Sequence, residues 1–255
     1  MKSISLYVDN DTYLVKFHSF TKICYILTAI LISSISGNMW VYGAFIGISI
    51  LLLISGKVMK KAVPLIAFSF TILLAIFIIH GLFHNGNATI LFQIGKICFY
   101  KEGVFYALKI GLNIINILLA FAIFVLTTKP SVFVEDLEHI GISPKFGYIV
   151  NSVFQIIPQM SGTINTIMDA QRSRGMETEG NIFVRIKSFI PIMSPVVMNS
   201  LINTRERAIA LEIRGFNNSS KKTYLTEHKM GKADIVLCIC MIIMILSTIA
   251  KIIIF

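Results

Sequence analysis

The 255-residue chain is 55% hydrophobic and 14% charged, with a mean hydropathy of +0.78; soluble domains carry about 25% charge, so an ordinary soluble enzyme is excluded and a polytopic membrane protein is expected. The net charge of +10 arises from 23 Lys and Arg against 13 Asp and Glu, an excess that in a membrane protein marks cytoplasmic loops before it marks a nucleic acid, and no nucleic-acid partner is expected. Cys24, Cys98, Cys238 and Cys240 lie in apolar surroundings without a CxxC pair, which reads as small hydrophobes and not as a disulfide framework or a zinc site.

The N-terminal stretch has acids ahead of its first apolar run and no A-x-A site, so no cleaved leader is expected. From Ile23 to Gly56 no residue is charged. A single helix of that length would be about 50 Å long against a hydrocarbon core of about 30 Å, so Ser36-Gly37-Asn38 should divide it into two short spans. Pro64 to Phe83 reads as a third span. The fourth runs from about Val104 to Thr128, with Lys109 snorkelling near one end. Residues 89 to 100 are apolar, β-branched and aromatic, and read as a short strand pair or an interfacial segment. The fifth span runs from Ile235 to Phe255, with Lys251 near its end.

Loop charge sets the direction. Lys16 and Lys22 precede the first span, Lys57, Lys60 and Lys61 follow the second, and the turn between them has no charge. The positive-inside rule then puts the N-terminus in the cytoplasm, the C-terminus outside, and residues 129 to 232, with 13 of the 23 basic residues, on the cytoplasmic side. The expected architecture is an all-α polytopic membrane protein: an N-terminal membrane region over 1–128, a helical cytoplasmic insert over 129–233, and a C-terminal span over 234–255.

Within the insert, Pro130 opens a short helix over 132 to 139, and Ile142-Ser143-Pro144 starts a longer one. Its residues Ile149, Val153, Ile156, Met160, Ile164 and Ile167 form one apolar stripe, and it ends at Ala170-Gln171-Arg172-Ser173-Arg174-Gly175. A further helix starts near Asn181, is interrupted or kinked at Pro191 and Pro195, and ends at Ala210-Leu211-Glu212-Ile213-Arg214-Gly215. Each end puts glycine at the stop and arginine in the last turn. Taken singly, Arg174 and Arg214 are ordinary C-terminal helix cations in an inside loop. Capping, however, does not require alanine at the same offset twice, and the repeat favours helix ends built to enter a protein groove, with the guanidinium fork binding carboxylates or carbonyls. Arg185, Lys187, Arg205, Arg207, Lys221 and Lys222 read as headgroup or solvent contacts.

These two helix ends, with His18 to Lys22, Glu102-Gly103, Thr127 to Pro130, Gln155 to Pro158 and Lys221 to Leu225, resemble the transmembrane T component of energy-coupling factor (ECF) transporters, EcfT, and its relative the cobalt-transport protein CbiQ. The family usually reads Ala-Arg-Gly; here Ser173 and Ile213 stand before the arginines, and Gln155 stands where an arginine is common. The resemblance implies a non-catalytic scaffold of a vitamin or metal-ion importer in the plasma membrane. Two cytoplasmic ABC ATPases would dock on the coupling helices, and a small membrane S component would capture the solute. Ala170, Arg172, Ser173, Arg174 and Gly175 would form one ATPase-coupling site, and Ala210, Ile213, Arg214 and Gly215 the other.

The residues themselves point away from catalysis. No G-x-x-x-x-G-K-[ST] loop occurs, so ATP hydrolysis is not expected of this chain. Among the scattered histidines only His80 and His84 are four apart, at a helix exit, and no cofactor or metal is expected. No acidic pair assembles within a span. A self-sufficient transporter usually carries ionisable groups deep in its spans, and these have none. The alternative is a stand-alone permease or channel lined by Asn113, Asn116, Ser33, Ser34 or Ser69.

Overall fold

A computed structural model describes residues 7, 12–83, 89–94, 97–177, 181–218 and 230–254. The sequence features at His84, Lys221 to Leu225 and His228 lie outside the described residues, as does the side chain of Arg185. The elements in chain order are α1 (Tyr13–Lys16), α2 (Ser19–Ser36), α3 (Met39–Ser55), α4 (Met59–Phe83), β1 (Ile90–Ile94), β2 (Ile97–Tyr100), α5 (Lys101–Thr127), α6 (Pro130–His139), α7 (Pro144–Ser173), α8 (Ile182–Ile213) and α9 (Lys232–Ile254). The protein is a helical multi-pass membrane protein. It forms two compact units, one holding α1 to α5 and α9, the other holding α7 and α8, with α6 at the junction.

The membrane unit is built around α5, which packs against α2, α3 and α4, while α9 packs on α2. Leu53, Leu119, Ala120 and Leu126 form the buried centre with Tyr25, Ile26 and Ala29. The uncharged stretch divides at the expected place: Gly37 takes φ +57° after Ser36, and the Asn38 side chain accepts a bond from Trp40 N to start α3. Lys109 is exposed, and its Nζ lies 3.0 Å from where a Cβ on Gly37 would stand. The ammonium thus sits at the carbonyl end of α2, where the helix dipole favours a cation. Strands β1 and β2 form an antiparallel pair, Ile94 opposite Ile97 and Phe92 opposite Phe99, with an irregularity between Ile90 and Phe92.

Polar bonds tie the other end of this bundle. Lys22 lies within α2 and is 5% exposed, so it is not the free loop charge that the positive-inside count takes it for. Its Nζ donates to Thr127 O at 3.0 Å and to Thr128 Oγ1 at 3.3 Å, which satisfies carbonyl and hydroxyl groups at the C-terminus of α5. Asp234, also buried, accepts from His18 N at 3.2 Å, Thr21 Oγ1 at 3.0 Å and Gly231 N at 3.0 Å. One carboxylate therefore caps the starts of both α2 and α9. The starts of α2 and α9 and the end of α5 consequently share one end of the unit.

Five described helices, α2, α4, α5, α8 and α9, are long and apolar enough to cross a bilayer. The set differs from the expected spans in one member. The 17-residue α3 falls just short of that length, although it packs against α5 within the membrane unit and its roughly 26 Å is within the range of a short span. Helix α8 qualifies by length and composition while carrying Lys187, Arg205, Glu206 and Arg207. Pro191 and Pro195 do not interrupt α8. Being four apart, they remove donors from one row of the hydrogen-bond ladder and leave the other rows to hold the helix.

Candidate functional site: two matched helix ends

Helix α7 begins at an N-cap, Ser143, whose side chain accepts from Phe146 N, with Pro144 in the first turn. Glu138 of α6 lies over this start, so close to Gly147 that a Cβ there would meet its carboxylate. A carboxylate at a helix N-terminus complements the dipole, and only glycine leaves it room. Helix α8 begins at Asn181, whose side chain accepts from Ile182 N.

The two helices run antiparallel. The Tyr148 and Phe216 rings meet with centroids 5.1 Å apart, and the Arg207 guanidinium donates to Gln159 Oε1. Between the helices lies an open groove of about 1210 Å³ that includes Thr163, Thr166, Asn199 and Asn203 in its walls. Apolar side chains remain exposed on both helices. On α7 these include Phe146, Ile149 and Val153; on α8, Ile186, Phe189, Ile190 and Val197 recur at helical spacing.

The helix ends share one pair of turn bonds and differ at the cap arginine, whose N–H donates to Gln171 O at α7 and to Ala210 O at α8. At α7, Gly175 N donates to Arg172 O at 2.9 Å and Met176 N to Gln171 O at 3.1 Å. At α8, Gly215 N donates to Glu212 O at 2.9 Å and Phe216 N to Leu211 O at 3.0 Å. Both are Schellman motifs, the six-to-one bond enclosing the five-to-two bond. The glycines take φ +85° and +71°, and a Cβ at either would meet nothing within 4 Å, so glycine is required by backbone conformation and not by space. Burial also repeats: Gln171 and Met176 at one end, and Leu211 and Phe216 at the other, are half-buried, and the four residues between each pair are exposed.

The predicted site residues sit on these turns. Ala170 and Ala210 are exposed just before them, so their small size serves no contact within the described chain. Ser173 Oγ donates back to Asp169 O at 3.0 Å, and Arg172 Nη1 stands 3.8 Å from Asp169 Oδ1 in an exposed pair worth little. Ile213 is 81% exposed. Arg174 and Arg214 occupy the C-cap positions, exposed, and neither forms an ion pair among the described residues. The structure does not bring the two arginines together. From the Gln159–Arg207 crossing, Arg174 lies about 22 Å along α7 and Arg214 about 10 Å along α8 in the opposite sense, a separation of roughly 30 Å. What sequence reading missed is the buried pair of ties at Lys22 and Asp234, because each looks like an ordinary helix-end charge until its partners are seen.

The family described as cobalt transport protein, CbiQ, matches residues 15–225. The energy-coupling factor transporter transmembrane protein EcfT of Acidaminococcus fermentans is 28% identical over 228 residues, covering 84% of this chain and 83% of that protein. EcfT of Clostridium kluyveri is 25% identical over 257 residues, 95% of this chain and 94% of that protein. EcfT of Brevibacillus brevis is 26% identical over 259 residues, 96% of each.

Proposed function

The chain belongs to the CbiQ family of cobalt transport proteins, and from that premise we propose that it is the transmembrane component of an ECF-type importer, coupling two cytoplasmic ABC ATPases to a substrate-binding S component. The observation that carries the coupling role is the pair of matched helix ends. Two turns with the same pair of Schellman bonds, the same exposed cap arginine and the same left-handed glycine suit two copies or two relatives of one partner surface. At roughly 30 Å apart they suit one ATPase each, not a shared groove. The guanidinium supplies planar donors that a carboxylate or a row of carbonyls can accept. The exposed apolar side chains of α7 and α8 provide the adjoining contact for the bilayer or the S component.

In this reading the tied end of the membrane unit is its cytoplasmic face. The starts of α2 and α9 and the end of α5 lie at one end, and Leu14 of α1 packs near Gly56, beside Lys57, Lys60 and Lys61. By the positive-inside rule this lysine-bearing end is cytoplasmic, so the segment between α5 and α9 leaves and re-enters on the ATPase side. ATP hydrolysis belongs to the partners, and vitamin or metal-ion selection to the S component. Three of the polar residues of the channel alternative bond within the helices: Asn116 donates to Ala29 O and Ser33 Oγ, and Ser69 Oγ to Ile66 O.

Truncating a hydrogen-bonded charge buried in an interface costs about 2–5 kcal/mol, whereas a headgroup or rim charge is worth about 1 kcal/mol or less. Arg174→Ala and Arg214→Ala are each expected to reduce substrate uptake and co-purification of an ATPase sharply at equal membrane abundance. Lys221→Ala and Lys222→Ala should change little, and Arg→Lys should rescue only in part because the ammonium lacks the planar fork. Equal effects at all four positions would return the arginines to general loop charge. A lone oligomer that purifies without nucleotide-binding subunits and transports unaided would establish the channel instead.

A further inference from the structure

We propose that the membrane unit binds an anionic phospholipid where α1 meets the turn between α3 and α4, its phosphate among Lys16, Lys57, Lys60 and Lys61 and its acyl chains along α3 and α4. Leu14 of α1 is buried in one cluster with Leu53 of α3, Val58 of the turn and Ala62 of α4. That packing gathers the lysines. Lys16 lies two residues beyond Leu14, Lys57 follows the Gly56 that Leu14 packs near, and Lys60 and Lys61 stand in the first turn of α4. All four are exposed. None forms an ion pair among the described residues, and residues 12 to 101 contain no Asp or Glu. Asp9 and Asp11 lie outside the described residues. The buried charges at this end are already engaged, Lys22 with the end of α5 and Asp234 with the starts of α2 and α9.

Four cations gathered without a counter-charge favour an anion shared among them. The apolar side chains beside them select which anion. Leu51 and Ile54 are exposed on the last turns of α3, and Lys60, Pro64 and Phe68 recur every four residues on α4, with Phe68 77% exposed. Helices α3 and α4 both pack on α5 and meet each other little, which leaves these side chains to the bilayer. A soluble phosphate or an acidic protein segment would use the lysines alone, whereas a phospholipid uses the lysines and the apolar rows that begin one turn away. Tyr13 is 87% exposed, with Lys16 Nζ 5.9 Å from its ring centroid, and supplies the amphipathic ring typical of headgroup depth. Lys57 keeps a charged side chain at φ +54°, where the backbone favours glycine. Neither the coupling role nor the orientation enters, because a bundle meets a headgroup layer at both ends.

The test uses the full chain in phosphatidylcholine vesicles containing phosphatidylglycerol. The chain has one tryptophan, Trp40, at the opposite end of α3. Trp40→Phe with Ile54→Trp moves that fluorophore beside the lysines, where acyl-brominated lipids quench it on contact. Brominated phosphatidylglycerol is expected to quench more strongly than brominated phosphatidylcholine at equal mole fraction, with the preference weakening as salt shortens the screening length. Lys57→Gln, Lys60→Gln and Lys61→Gln together should lower the preference about five-fold or more at low salt, the worth of at least one engaged lysine. Lys57→Arg keeps the charge and should keep the preference, as should Lys109→Gln at the far end. Equal quenching by the two lipids overturns the proposal, and so does a preference untouched by the three glutamines, as neutralisation by Asp9 or Asp11 would give. Competition by soluble glycerol phosphate would show a phosphate site without acyl contact. Loss of co-purifying subunits from the glutamine variant with quenching unchanged would assign the patch to a protein partner, against the proposal.

Discussion

Lys57 is the described non-glycine residue with positive φ, at +54°. It occupies the position after the cap of α3 where Gly175 and Gly215 stand at the other ends: Lys57 N donates to Ile54 O and Val58 N to Leu53 O. The chain places its glycine one position early, at Gly56, so the left-handed strain falls on a residue with a Cβ. That strain costs roughly 1 kcal/mol. Lys57→Gly is therefore expected to raise the unfolding midpoint by about 2–4 °C, and a fall would show that the lysine side chain contributes more than its backbone loses. At this scale the arginine-glycine ends were legible, because a Schellman turn is a local pattern of four or five residues. The shared pair of Schellman bonds needed coordinates, since Gln171 and Leu211 share a place in the turn without sharing chemistry.

At the scale of elements, helix existence and type followed from periodicity and breaks, while boundaries moved outward. Helix α4 starts at Met59 and not at Pro64, α5 at Lys101 and not at Val104, and α9 at Lys232 and not at Ile235. A charge-free count stops at the first lysine, but a helix carries its terminal charges to the headgroups and continues. The cost of misreading such a charge is largest at Lys22, whose ammonium satisfies the end of α5. Lys22→Met keeps the stem, removes the donor and leaves Thr127 O unpaired, and should lower stability by about 1–3 kcal/mol, seen as a lower unfolding midpoint in detergent. An unchanged midpoint would mean the bond contributes nothing net. On α7, Ala170→Pro removes a backbone donor and crowds the carbonyl of Thr166. The penalty is about 3 kcal/mol in a helix interior and less near its end, so the membrane unit should remain folded while one ATPase is lost from the complex. Retention of both ATPases would move the docking site off this turn.

For the whole molecule, the ties between helices show which helix ends lie together in the membrane unit. Lys22 to Thr127 and Asp234 to His18 place the exit and the return of residues 129–233 at one end of the bundle, whereas Lys109 beside Gly37 marks the other. A cysteine placed near Gly37 should thus react with an impermeant thiol reagent from outside, and cysteines near Lys60 or Asn217 only after the membrane is opened. Labelling of the 217 site from outside would reverse the orientation and remove the ATPases from reach of Arg174 and Arg214.

Sequence alone determined that the chain is a helical membrane protein, where its first long apolar stretch divides, and that the long basic segment ends two helices in the same way. Each of these is a matter of composition or of neighbours within one turn, where hydropathy and glycine chemistry act directly. Only the tertiary structure decided which polar side chains are bonds and which are surface. Lys22, Asp234 and Asn116 meet partners 105, 216 and 87 residues away, and no local pattern encodes a hydrogen bond at that range. It also decided that α7 and α8 run antiparallel, and so that their matched ends stand far apart instead of side by side.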